Sequence, residues 1–375
     1  MRELIGQQMI MGLSGEELLP EEAQFIVENN IGGVILFSRN LKSVEQIHKL
    51  INDVQKLRFK LPEKTPLFVS VDMEGGRVHR LKEPFTQWPA VKNLGDMGSS
   101  NVAFRFTQLM GRELKAIGIN LDYAPCVDIL MNPENQVIGD RALSTEARQV
   151  AKLASAMVRG YIKSDVLTCA KHFPGHGFTS VDSHFDLPVD KRTLADLEKD
   201  GDLEPFKKVV KARVDMIMTA HIQYPNIDPQ FPATLSPLFI KQFLREVLRY
   251  RGLVITDDLD MKALTKHFPI EELPVMALNA GANVLLYCNE PQSPVRAVKT
   301  IAKALSDGKL DTEIIRENHD MIVNTKLKKF KNPIEPFSLE KAEQIIGHQE
   351  HLDFAKAVAE QDLESLKKTT PSGDA

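Results

Sequence analysis

The chain has 375 residues, 43% of them hydrophobic and 26% charged, with a formal net charge of −4, the make-up of a soluble globular protein with a sizeable core. Such slight acidity offers no basic stripe to a phosphate backbone, so nucleic acid is excluded as an expected partner. No apolar run approaches the roughly 18 residues of a spanning helix, and the opening MRELIGQQMIMGLSGEE has no small-residue cleavage pattern, so no membrane span and a cytoplasmic location are expected.

The first candidate strand is QQMIMGL (7–13), followed by PEEAQFIVEN. There Pro20 suits a first helical position, and Ala23, Ile26 and Val27 share one face. GGVILFS (32–38), PLFVSVD (66–72) and NLDYAP (120–125) are the next candidate strands. TEARQVAKLASAMVRGYIKS then carries Val150, Leu153, Met157 and Tyr161 on one helical face. VLTCAKHF (166–173) and DMIMTAH (215–221) are strand-like again. In SPLFIKQFLREVLRY, Ser236 is placed as an N-cap, Pro237 as the first helical residue and Gly252 as the stop. LVITDD (253–258) and NVLLYCN (283–289) complete eight strands. Near-continuous apolar runs suit parallel strands buried on both faces, and strand followed by helix eight times predicts a (β/α)8 TIM-like barrel. No G-x-G-x-x-G follows the first strand, which disfavours a doubly wound sheet. The barrel is expected over 1–330, a C-terminal helical extension packing on it over 331–368, and a disordered tail over 369–375. Cys126, Cys169 and Cys288 lie far apart in apolar surroundings and read as buried thiols in a reducing compartment.

In such a barrel chemistry sits where strands end. Asp72, Glu74, Arg77 and Arg80 follow the third strand, Asp128 and Arg141 the fourth, and Lys171, His172, His176, Asp182 and His184 the fifth. His221 ends the sixth strand and Asp257–Asp258 the seventh. So many polar groups on one rim imply a polar pocket, since a packed interior would not tolerate them. Glu74 and Arg77 read equally as a structural ion pair, and His221 equally as a satisfied core histidine. His176, between two glycines, shapes its loop; Asp186 is a solvated loop residue. Asp258 is placed on the face opposite Asp257.

The segment KHFPGHGFTSVDSHFDLP (171–188) poses the choice between a metal site and a proton-transfer device. His172 and His176 have a helical zinc spacing, but Pro174 and Gly175 between them make a poor helix, and no H-E-x-x-H or C-x-x-C accompanies them. Asp182 and His184 share a face of an extended segment, and a carboxylate beside an imidazole keeps a proton available near neutral pH. Asp257, held at a strand end, suits a nucleophile opposite a proton donor, as glycoside hydrolysis with retention requires.

KHFPGHG with DSH and LP, preceded by VDMEGGRVHR and followed by ITDDLDM, resembles the bacterial β-N-acetylglucosaminidases of glycoside hydrolase family 3, over about residues 5–330. ILFSRN, GINLDYAP, IGDRALS, MTAHIQYPNID, PATLSP and AGANVLLYCN add to the likeness. The resemblance implies that Asp257 is the nucleophile and that His184, paired with Asp182, is the acid/base. It implies that Asp72, Arg80, Arg141, Lys171 and His172 hold the terminal sugar, with no metal and no organic cofactor. The implied substrate is a GlcNAc-containing muropeptide or oligosaccharide, in peptidoglycan recycling GlcNAc linked to 1,6-anhydro-MurNAc. Three departures stand out: Ala142-Leu143 where Ser-Phe is frequent, His79 where Gln is common, and a helical tail where many members carry a second α/β domain. Phosphorolysis stays open, because a histidine does not repel an incoming phosphate. So do a metal-dependent hydrolase built on His172 and His176, and a sugar-binding barrel without turnover. Phe85 and Trp88, in EPFTQWPAV, belong to the pocket rim or to the core.

Overall fold

The computed structural model describes residues 2–183, 185–330 and 338–369. Eight parallel strands run as β1 (Met9–Gly12), β2 (Gly33–Leu36), β3 (Phe68–Val71), β4 (Leu121–Asp122), β5 (Leu167–Phe173), β6 (Met216–Thr219), β7 (Leu253–Thr256) and β8 (Leu285–Tyr287). Each pairs with its sequence neighbour, β1 pairs with β8, and a parallel bridge between Ile255 and Val284 closes the ring. This is the (β/α)8 barrel expected from the strand–helix rhythm.

β4 is shorter than the run NLDYAP suggests, yet its main-chain bonding continues beyond the strand. Tyr123 donates to the Val71 carbonyl at 2.9 Å, and the carbonyls of Ala124 and Pro125 accept from Cys169 and Lys171 at 3.1 and 3.2 Å. Proline offers no N–H of its own, so the ladder at this point is carried by acceptors.

Side chains alternate along each strand, and the inward set builds the interior in layers. Phe68, Leu121, Leu167, Met216 and Leu253 fill it lower down; Tyr123, Cys169, Met218, Ile255 and Leu286 lie above them. The same parity carried one step further places Asp72, Lys171 and Asp257 over this apolar floor. The opposite end is closed by the helix Thr312–Lys329, whose Ile322 joins the interior cluster. From the same helix Lys326, fully buried, donates to Gln7 Oε1 at 2.8 Å and to the Gly32 carbonyl at 2.7 Å, and sits 4.6 Å over the Phe68 ring.

The helix Ala147–Lys163 buries Val150, Leu153, Met157 and Tyr161 together. Ser236 caps the helix Leu238–Val247, its carbonyl accepting from Ile240 at 3.2 Å. That helix is wide, with Leu248 donating to Phe243 at 2.8 Å. It does not stop at Gly252. Arg249, at φ 54°, turns the chain first, and Gly252 instead leaves room for the Tyr250 ring. Phe85 and Trp88 are core residues, both 2% exposed. Short helices over 339–369 lie on the barrel's flank, where His351 Nδ1 meets Glu113 Oε1 at 2.7 Å and Phe354 and Val358 are buried. Residues 331–337 and, but for Thr369, the proposed tail 369–375 lie outside the described residues.

Candidate active site

A cavity of about 520 Å³ opens at the strands' C-terminal ends. Asp72, Arg80, Arg141, Lys171, His172 and Asp257 all line it, over a floor that includes Met218 and Leu286. Six of the eight residues proposed from sequence thus converge. Asp182 is not among the residues lining the cavity, and His184 lies outside the described residues.

Lys171 Nζ lies 2.7 Å from both Asp72 Oδ1 and Glu74 Oε1. Glu74, 2% exposed, also receives a two-point contact from Arg141, at 2.9 Å from Nε and 2.7 Å from Nη2. The Glu74–Arg77 ion pair considered from sequence therefore does not form. Arg77 instead reaches Asp140 at 2.9 Å. Burial opposes ionisation of Glu74, but Arg141 and Lys171 outweigh it and hold its carboxyl far below the ordinary range. For Lys171 burial is likewise outweighed, by Asp72 and Glu74, and the ammonium is held charged. Sequence reasoning placed Glu74, the organiser of these contacts, on the rim but weighed Arg77 as its partner. The signal for the true partners is that Arg141 and Lys171, on one buried rim, need more counter-charge than Asp72 supplies.

Asp257 follows β7 directly, and its Oδ1 accepts from the Asp258 amide at 2.8 Å. Burial would raise its pKa; His221 and His172, then Lys171, reverse that and hold it below the ordinary value. His221 is buried, with Nε2 donating to the Asp258 carbonyl at 3.0 Å and Nδ1 2.8 Å from Thr234 Oγ1. It is thus a hydrogen-bonded core histidine that also favours the Asp257 carboxylate. Asp258 does not face away, as strand alternation implied. β7 ends at Thr256, the chain turns, and Asp258 lines the same cavity, its Oδ1 accepting from Asp260 and Cys288 amides at 3.1 and 3.3 Å. Burial first, and then the Asp260 charge, push its pKa up to about 7.

Asp128 is a second organiser. Its Oδ1 accepts the His176 amide at 2.6 Å; its Oδ2 faces His172 Nδ1 at 2.7 Å and Cys126 Sγ at 3.2 Å. Burial notwithstanding, His172 and His176 lower its pKa to about 2. The His172 and His176 rings meet edge to face at 5.9 Å, but His176 is engaged by Thr179 Oγ1 at 2.9 Å and Ser183 Oγ at 3.3 Å. It shapes the loop, as expected. Burial lowers its pKa to about 4.

Within the loop after β5, the Gly177 α-carbon packs against the Ile129 carbonyl: a Cβ would lie 1.7 Å from that oxygen. Farther on, Ser183 accepts from the Ala263 amide at 3.2 Å. Asp186, exposed as expected, is also paired with His267 at 2.7 Å and Lys266 at 3.4 Å. The loop is thereby joined to the segment that follows Asp257. Of the departures from the family pattern, Ala142 packs on Cys126 and Ile138 behind the cavity. His79 is engaged by the main chain, its Nε2 accepting from the Trp88 amide at 3.2 Å.

Residues 2–325 match the glycosyl hydrolase family 3 N-terminal domain. The chain belongs to glycosyl hydrolase family 3. It is a glycoside hydrolase. A beta-hexosaminidase of Idiomarina loihiensis is 36% identical over 295 residues, 78% of this chain and 86% of that protein. One from Alkalilimnicola ehrlichii is 38% identical over 305 residues, 80% and 84% of the two chains. Among solved structures, NagZ from Neisseria gonorrhoeae in complex with N-trifluoroacetyl-D-glucosamine superposes with a TM-score of 0.78 at 32% identity, covering 94% of this chain and 98% of that one. A family 3 β-N-acetylglucosaminidase from Paenibacillus gives a TM-score of 0.87 at 32% identity, over 96% and 68% of the chains.

Proposed function

We propose that this family 3 enzyme is an exo-acting, retaining β-N-acetylglucosaminidase that removes terminal β-linked GlcNAc. The observation that carries the reading is the Asp257 carboxylate, held ionised at the end of β7 in a cavity shared with Asp72, Lys171, Arg141 and His172. In this mechanism the Asp257 oxygen attacks the anomeric carbon as the glycosidic C–O bond breaks, giving a covalent glycosyl-aspartate. His184, partnered by Asp182, gives its proton to the departing oxygen. The imidazole then takes a proton from the water that attacks the anomeric carbon and releases Asp257. Asp72 accepts sugar hydroxyls, while Arg80, Arg141, Lys171 and His172 donate to hydroxyls and the N-acetyl group. The beta-hexosaminidase names of the relatives and the N-acylglucosamine bound to the Neisseria protein support the choice of sugar. The proposed natural substrate is a GlcNAc–1,6-anhydro-MurNAc muropeptide in the cytoplasm. Among the described residues no helix is long and apolar enough to cross a membrane, which accords with that setting.

The test compares leaving groups. His184→Ala is expected to retain much of its rate on p-nitrophenyl β-N-acetylglucosaminide, whose aglycone departs without a proton, and to lose far more on a disaccharide. Equal losses on both would remove His184 as the general acid. Asp257→Ala is expected to lose turnover on both substrates, and near-normal rates would overturn the nucleophile assignment.

A further inference from the structure

Behind the sugar cavity three potential metal-binding atoms of different chemistry converge. Cys126 Sγ, an Asp128 carboxylate oxygen and a ring nitrogen of His172 lie within 4.8 Å of one another, on three buried residues. Two of them aim at a single oxygen: Asp128 Oδ2 lies 3.2 Å from Cys126 Sγ and 2.7 Å from His172 Nδ1. The other carboxylate oxygen is fixed by the His176 amide at 2.6 Å, so the shared oxygen cannot rotate away freely. Cys126 is also fixed, because its backbone pairs with Lys171 on β5 and its side chain packs against Ile138 and Ala142. His172 alone of the three lines the cavity, which provides both a route in and space for the ring to shift.

We infer that this triad is an inhibitory site for a thiophilic divalent cation of the zinc or cadmium type. Thiolate, imidazole and carboxylate together form a donor set suited to such ions. Zinc bonds of about 2.0–2.3 Å in tetrahedral arrangement place donor atoms about 3.3–3.5 Å apart. The sulfur–oxygen separation is already close to that. The nitrogen–oxygen separation must open by about half an ångström, which the cavity side of His172 allows. On binding, the thiol proton leaves to solvent, the hydrogen on Nδ1 is exchanged through solvent to Nε2, and the thiolate, the Asp128 oxygen and the freed Nδ1 lone pair each bond the cation. Nδ1 can then carry no hydrogen, so the hydrogen bond it shares with Asp128 is lost and the ring turns. His172 thereby ceases to present its cavity-facing edge as before. The inhibitory part rests on the sugar-binding role proposed above for His172; occupation of the site does not.

The experiment adds cadmium chloride to the chelator-stripped full chain and follows the ultraviolet thiolate-to-cadmium charge-transfer band beside the initial glycosidase rate. The wild-type protein is expected to develop the band at about one cation per chain while its rate falls. Cys126→Val should lose the band and resist inhibition by cadmium and zinc, while its metal-free rate stays near wild type. Cys126→Ser, which keeps a polar group facing Asp128, provides a second variant if valine disturbs folding, and should also lose the band. A band retained in both variants would place the cation on another thiol and overturn the inference, as would absence of a band in the wild type. A band that depends on Cys126 without any fall in rate would keep the site and reject inhibition through His172.

Discussion

Glu74→Gln tests whether one buried carboxylate holds the proposed sugar site together. The replacement keeps the size of the side chain and removes its charge from between Arg141 and Lys171, which approach it at 2.7 Å each. Glu74 and Lys171 are each 2% exposed, so water cannot replace the lost partner. Leaving buried cations unpaired costs about 3–5 kcal/mol. Asp72 still faces Lys171 at 2.7 Å, which favours the lower part of that range. Loss of the two-point contact also frees the Arg141 fork, so KM is expected to rise about tenfold, equivalent to ~1.4 kcal/mol. The folded pKa of Glu74 lies below its unfolded value, so its contribution is complete above the ordinary carboxylate range and disappears as pH falls through the folded value. Urea unfolding at neutral pH, with KM on a nitrophenyl N-acetylglucosaminide, measures both effects. A variant within about 1 kcal/mol of wild type and with unchanged KM would refute the reasoning.

Lys326, buried among neutral acceptors, has its pKa lowered by burial to about 7. In the unfolded chain it returns to about 10.4, so between those values the unfolded state binds more protons and stability rises with pH. From pH 7 to 9 the wild type should gain roughly 2 kcal/mol that Lys326→Met does not, measured by urea unfolding at each pH; parallel curves would mean that the ammonium stays charged inside. Gly177→Ala should force the loop away from the Ile129 carbonyl and cost about 1–3 kcal/mol. Thermal unfolding unchanged from wild type would show that the loop moves aside freely.

The barrel was legible because strands buried on both faces read as unbroken apolar runs, and each of the eight was found close to its true place. Asp72, Lys171 and Asp257 were legible for a related reason. They stand where inward parity meets the end of an apolar strand, and a charge there must face a cavity. The partners were harder to see. Glu74 bonds across 67 residues to Arg141, and Asp128 across 44 to His172, and nothing in local spacing records which cation a buried carboxylate will meet. Asp258 was misplaced because alternation holds only while a strand lasts. Gly252 looked like a helix stop, but Arg249 had already turned the chain, and the glycine answers to the Tyr250 ring instead.

The proposed reaction is hydrolysis of a terminal β-linked N-acetyl sugar by the Asp257 site without help from a metal. Initial rates on p-nitrophenyl β-N-acetylglucosaminide and β-glucoside, side by side and with or without chelator, test it most directly. Chelator-insensitive turnover selective for the N-acetyl sugar is the expected result. Preference for the glucoside would rule out N-acetyl specificity, and loss of turnover on chelation would rule out a metal-free reaction at Asp257.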